Sequence, residues 1–316
     1  MSLLNLLSPY ECCPHLVFVI GKGGVGKTTV SLLFGLILSR IGNTLVLSLD
    51  PAKHLVRYVG EEILGREARI REGLVLKQLD VDMEVARELN RHASMIKDML
   101  PSLKVLNIEN VVDVVKYMPG VEEEVFLRIL QETYEHVKYE FIVIDTPPTG
   151  VTLRTLYLPK LYEIWIEKLI EVRGKILSLK YAIAKTLGRE PEVKDKALTL
   201  LTEMREKYST LVNVLKDSSK TSYTIVATPE PLPVYELKET INFLRLKLNT
   251  SPKILVLNKI LPAEVADRMG LREQQEAIMS ELSSYNIPLL SISYLGKPTE
   301  SLEDIAELEN LVKVVS

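Results

Sequence analysis

Cysteine is close to absent from this chain: Cys12 and Cys13 are the only two among 316 residues. Adjacent cysteines rarely bridge each other, and no third thiol exists, so a disulfide framework is excluded. Idle or buried thiols, or a bridge between two chains, are what remain. Long apolar runs are missing too. None approaches the roughly 20 residues of a membrane-spanning helix. The chain opens without the basic start and long apolar core of a secretion signal, Leu3–Leu7 being too short. A soluble cytoplasmic protein with no stable membrane insertion is the expectation. Neither sign of charge dominates, since 39 Lys and Arg face 42 Asp and Glu for a net −3. That gives no global electrostatic case for nucleic acid or an acidic membrane, and no nucleic-acid partner is expected. Histidine occurs four times, at His15, His54, His92 and His136, without metal-ligand spacing to Cys or acidic residues. The one tryptophan, Trp165, sits on a helical stripe and reads as a packing residue.

What the chain does have is 47 % hydrophobic residues, enough for a large core in one or two domains. Its organising stretch is His15–Thr29, HLVFVIGKGGVGKTT. An apolar strand meets a glycine-rich turn that opens into the apolar helix Val30–Leu38. The turn Gly21-Lys22-Gly23-Gly24-Val25-Gly26-Lys27-Thr28 fits GxxxxGK[ST], the phosphate-binding loop. Glycines let backbone N–H groups curl around an anion, and the helix N-terminus adds its dipole. Lys27 is placed to reach the β- and γ-phosphates of a nucleotide, and the Thr28 hydroxyl to ligate Mg²⁺.

The spacing predicts strands near residues 15–20, 44–49, 74–81, 139–144, 223–227, 253–257 and 289–292. Helical patterns fall near 27–41, 84–118 with a break at Pro101, 122–137, 158–183, 198–215, up to 246, and 273–283, with a short acidic helix near the end. Strands alternating with helices predict an α/β fold, a doubly wound and mainly parallel sheet of the P-loop NTPase kind, carrying an inserted α-helical subdomain. The core would comprise residues 1–83, 131–156 and 220–316, and the helical part 84–130 and 157–219. The strand YEFIVI ends in Asp145, a carboxylate at the C-terminal sheet edge suited to hold Mg²⁺ through water or to orient a nucleophile. The apolar stripe Leu158 to Ile183 is wider than one neighbour needs. Ordinary core packing and a groove for an apolar partner both remain open.

Several motifs then agree. GKGGVGKTT carries an extra lysine, Lys22, after the first glycine. Asp50-Pro51-Ala52 follows the second strand, DTPPTGVTLRTLYLP runs from Asp145 to Pro159, and PGVEEE, TPEPLPVYE and LNK follow in order. On these the chain resembles the arsenite-pump ATPase family over nearly its whole length, and within it the archaeal-type branch that targets tail-anchored membrane proteins. The resemblance implies ATP and Mg²⁺ as ligands and a homodimer in which Lys22 crosses to the partner's nucleotide. It implies phosphate and Mg²⁺ contacts from Lys27, Thr28 and Thr29, and an attacking water oriented by Asp50. Asp50 and Asp145 would also support Mg²⁺, partly through water, Glu230 would contact the partner's nucleotide, and Asn258 would hydrogen-bond adenine. The implied clients are the apolar transmembrane segments of other proteins, with a membrane receptor as a further partner.

The departures from the family pattern are specific. After Asp50-Pro51-Ala52, a stretch usually His-Asn/Ser-Leu-Ser-Asp is Lys53-His54-Leu55-Val56-Arg57. Val151 replaces a histidine in the second switch. The CxxC pair that binds zinc between subunits in many members is missing from Pro262–Gln275, so no zinc is expected. Three other readings stay open: a partition or positioning switch, a slow-turnover ATP-dependent partner-binding protein, and an arsenite-pump ATPase. The first would need a basic face or tail, yet Ser301–Ser316 is acidic.

Overall fold

A computed structural model describes residues 3–7, 14–99, 120–135, 138–188 and 195–315, with the side chains of 5 and 92–99 left aside. The expectations for Cys12, Cys13 and His136, the break at Pro101 and the part of the helical pattern from 100 to 118 lie outside those residues.

Nine strands form one sheet among the described residues: β1 His15–Gly21, β2 Thr44–Ser48, β3 Ala68–Arg71, β4 Leu74–Gln78, β5 Phe141–Asp145, β6 Thr221–Ala227, β7 Ile254–Ile260, β8 Leu289–Ser293 and β9 Val312–Val314. Their order is β3-β4-β2-β5-β1-β6-β7-β8-β9. Pairing is parallel throughout except at the two edges, where β3 runs against β4 and β9 against β8. The central strands are fully buried because helices cover both faces, as their continuous apolar runs require. The edge strands carried no such run, and sequence periodicity did not reveal them.

Side chains alternate across β1. Leu16, Phe18 and Ile20 enter one core layer, and Val17 and Val19 enter the other. The second layer is built on α1 (Lys27–Leu38), in which every residue but Thr29 is buried. The first layer takes Val125, Phe126 and Ile129 from the helix Val121–Glu135, and Leu211, Val214 and Leu215 from the helix Lys196–Lys216. Phe18 stacks on Tyr223 of β6 at 5.4 Å between ring centroids.

The helix Thr149–Thr186 starts four residues after Asp145 and runs 38 residues, without a break at 156, over roughly 57 Å at 1.5 Å per residue. Pro159 lies inside it. The near end is buried at Thr152, Thr155 and Leu156, while the far end is not. Trp165, expected to pack, is 62 % exposed, and Leu179 and Ile183 are 65 % and 60 % exposed. The helix Val81–Met99 is tied to Val121–Glu135 by Arg128, which bonds Glu84 at 2.6 Å and Glu88 at 2.9 Å. No helix among the described residues is long and apolar enough to cross a membrane.

Candidate nucleotide-binding site

The site lies where β1 passes into α1, at the C-terminal edge of the sheet, the usual ligand position in open α/β folds. Gly24 and Gly26 hold the left-handed backbone, with φ of 85° and 95°, so the loop folds back over the helix start. At Gly26 the space is closed as well, since an added methyl would overlap the Asn258 amide. A cleft of about 960 Å³ opens here. Gly23, Gly24, Gly26, Lys27, Thr28 and Thr29 line it together with Asp50 and Asn258. Gly21 ends β1 and the Val25 side chain is buried in the core, so both shape the loop through their backbone.

Behind the loop, Asp145 is fully buried. Its Oδ2 accepts hydrogen bonds from the hydroxyls of Thr28 and Ser48, each at 2.9 Å, and its Oδ1 has no protein partner. Burial pushes the Asp145 carboxyl up to about 6, against the pull of those two hydroxyls and of Lys27. Burial likewise lowers Lys27 from the usual lysine range, opposed by Asp145, Asp50 and Glu236. A cation this poorly solvated is well matched to an incoming polyanion. Asp50 is nearly buried, and its Oδ1 accepts from the Ala52 N–H at 3.0 Å.

Two residues are expected to meet the partner's nucleotide rather than this chain's own. Lys22 does not line the cleft; its Nζ lies 3.7 Å from Glu236 Oε1 of the same chain. Glu230 is the residue before the helix Pro231–Lys247 and is also outside the lining. Asn258 is only 5 % exposed; its Nδ2 donates to the Val25 carbonyl at 2.9 Å, and its Oδ1 accepts from the Lys259 N–H at 2.9 Å. One amide proton and one lone pair remain for a ligand.

The altered first switch enters the site. His54 and Arg57 line the cleft, and Lys53, at φ 52°, reaches Asp80 at 3.4 Å. Val151, in the first turn of Thr149–Thr186, packs against the core. Residues that sequence reasoning missed are Tyr58, whose hydroxyl lies 3.5 Å from Thr29 Oγ1 and 3.2 Å from Thr299 Oγ1, and the segment Tyr294–Glu300. The turn Gly296-Lys297-Pro298 after β8 was the available signal, since it falls at the same sheet edge.

A phosphate-binding loop with an extra lysine, on a parallel sheet of this order, defines a P-loop ATPase with a deviant loop. The chain belongs to the anion-transporting ATPase family, whose sequence profile matches residues 14–312. It is 30 % identical to a putative arsenical pump-driving ATPase 2 of Aquifex aeolicus, over 93 % of this chain and 98 % of that one. It is 29 % identical to an ATPase get3 of Aspergillus terreus, over 92 % and 89 % of the two chains. To ATPase GET3B of Arabidopsis thaliana it is 29 % identical, over 88 % and 75 %. The protein is an ATPase of this family.

Proposed function

We propose that this ATPase is a homodimeric switch in the cytoplasm that shields apolar transmembrane segments of other proteins and hands them on, as its resemblance to the tail-anchored-protein branch implies. The observation that carries the reading is the helix Thr149–Thr186. It begins beside Asp145 at the nucleotide site and ends in a face exposing Trp165, Val172, Leu179 and Ile183. A rigid helix converts a small shift at its first turn into displacement of the apolar face. Monomeric proteins seldom leave such a contiguous patch uncovered without use. ATP shifts the equilibrium only if it favours the closed dimer over the open one. Lys22, released from Glu236, would supply a contact present only in the closed state.

At the site, Lys27 would hold the β- and γ-phosphates and the loop N–H groups would wrap them. Asp50 would orient the attacking water, and Asn258 would read adenine with its free amide positions. The residues present fit Mg²⁺: Thr28 and the unpartnered Asp145 Oδ1 are hard oxygen donors, and the ion would neutralise phosphate charge there. Glu230 would meet the partner's nucleotide. The test is aggregation of an apolar transmembrane peptide with the purified protein, with and without ATP. Unchanged aggregation in both would end the client reading. The Aquifex relative favours a second role, driving an arsenical pump; ATPase activity flat across an arsenite titration would remove it.

A further inference from the structure

We propose that Ser48 and Gln78 are positioning residues for ATP hydrolysis, holding the Asp50 peptide from both ends and so aiming its carboxylate. The proposal rests on the reading that Asp50 orients the attacking water.

Ser48, Gln78 and Asp145 are the last residues of β2, β4 and β5. They share one register row across three neighbouring strands, Ser48 pairing with Gln78 on one side and with Asp145 on the other. All three are fully buried. A glutamine in such a place is costly unless its amide is bonded, so an apolar residue would be the default. Here the Nε2 end of the amide joins two departing chains, while Oε1 has no hydrogen-bond partner. Gln78 Nε2 donates to the Asp50 carbonyl at 2.9 Å and to the Leu79 carbonyl at 3.3 Å. On the other side, Ser48 Oγ donates to Asp145 Oδ2 at 2.9 Å and lies 3.4 Å from the Asp50 N–H.

Asp50 is therefore held at its carbonyl by Gln78 and, through a longer and weaker contact, at its N–H by Ser48. Its Oδ1 is fixed by the Ala52 N–H, which leaves the backbone to set where the second oxygen points. The row continues through Asp145 Oδ2 to the Thr28 hydroxyl in the phosphate loop. The result is an unbroken run of hydrogen bonds, Gln78–Asp50–Ser48–Asp145–Thr28, along the C-terminal sheet edge. Water placed for attack tolerates little error, since displacement of a reacting group by about 1 Å costs about a hundredfold in rate. Two buried polar side chains at this point do more than fill space: they set where Asp50 sits relative to Thr28.

Steady-state ATP hydrolysis by the full chain tests this. Ser48→Ala and Gln78→Met should each lower kcat about tenfold with KM for ATP within about twofold, and Ser48→Thr should keep the rate. On an Asp50→Asn background, either change should alter the residual rate by less than about twofold, because both act through Asp50. Losses that multiply on that background would overturn the proposal. So would wild-type kcat in Ser48→Ala when Asp50→Asn alone is inactive. Wild-type hydrolysis by Asp50→Asn would instead bring down the Asp50 reading and this one with it. Should Gln78→Met not fold, the Ser48→Ala and Ser48→Thr pair decides alone.

Discussion

Lys22 is paired within its own chain, its Nζ 3.7 Å from Glu236 Oε1, both side chains about one-third exposed. A partly exposed pair of this kind contributes about 0–1 kcal/mol and breaks readily. Glu236 therefore acts as a weak parking place, and closure of a dimer on ATP is expected to pull Lys22 away. Lys22→Ala should abolish most hydrolysis while nucleotide binding is largely kept. Glu236→Gln should leave binding intact and raise hydrolysis by a small factor. Scattering-derived mass with a non-hydrolysable ATP analogue and Mg²⁺ checks the dimer; a strict monomer would undo the role in trans.

Asn258 has two jobs that one substitution separates. Asn258→Ala leaves the Val25 carbonyl without its 2.9 Å partner. Loss of such a buried bond costs about 1–2 kcal/mol, so the urea midpoint should fall. If the free amide positions also meet adenine, affinity should fall more for ATP than for GTP. Equal losses for the two nucleotides would leave Asn258 as a brace of the phosphate loop alone.

The apolar face can be removed without touching the core. Trp165, Leu179 and Ile183 are each at least 60 % exposed. Surface substitutions of this kind change stability by less than about 0.5 kcal/mol. Trp165→Glu combined with Leu179→Glu should keep the melting temperature and basal hydrolysis, and abolish protection of a transmembrane peptide. Protection at wild-type level in that variant would place client binding elsewhere.

His15 is expected to make the fold sensitive to mild acid. It is almost fully buried, with Nδ1 donating to the Ser219 carbonyl at 3.0 Å and Nε2 2.8 Å from Ser222 Oγ. Burial holds the imidazole at about 4 rather than 6.5, the Ser219 bond opposing. The folded value lies below the unfolded one, so between those values the unfolded chain binds more protons. Stability is then expected to fall as pH drops from 6.5 towards 4, by about 3 kcal/mol at most. Urea unfolding at pH 7 and pH 5 measures this. His15→Gln should flatten the difference, and an unchanged slope would assign the acid sensitivity to other groups.

Legibility followed the range of the physics. The phosphate loop was readable because its signal is local: Gly24 and Gly26 must take positive φ, and Lys27 and Thr28 must follow them within one turn. The buried strands were readable from their apolar runs, and the helices from their spacing. The edge strand Ala68–Arg71 carries two arginines and alternates in exposure, so no apolar run announced it. The helix begun at Thr149 was longer than its apolar stripe, because its first turn follows from the Asp145–Pro148 turn rather than from periodicity. Tyr58 reaches the cleft from a distant stretch that carries no motif of its own, and Tyr294–Glu300 from one marked only by the turn Gly296-Lys297-Pro298.

By itself the sequence determined the doubly wound α/β class, the phosphate loop with Lys22, and the carboxylates Asp50 and Asp145 at strand ends. Those properties are set by neighbours within a few residues. Only the tertiary structure decided that Lys22 rests on Glu236, that Trp165 faces outward, and that Gln78 and Ser48 clasp Asp50. Each depends on which strands and helices lie side by side, and burial and hydrogen bonding between residues dozens of positions apart exist only once the sheet order is fixed.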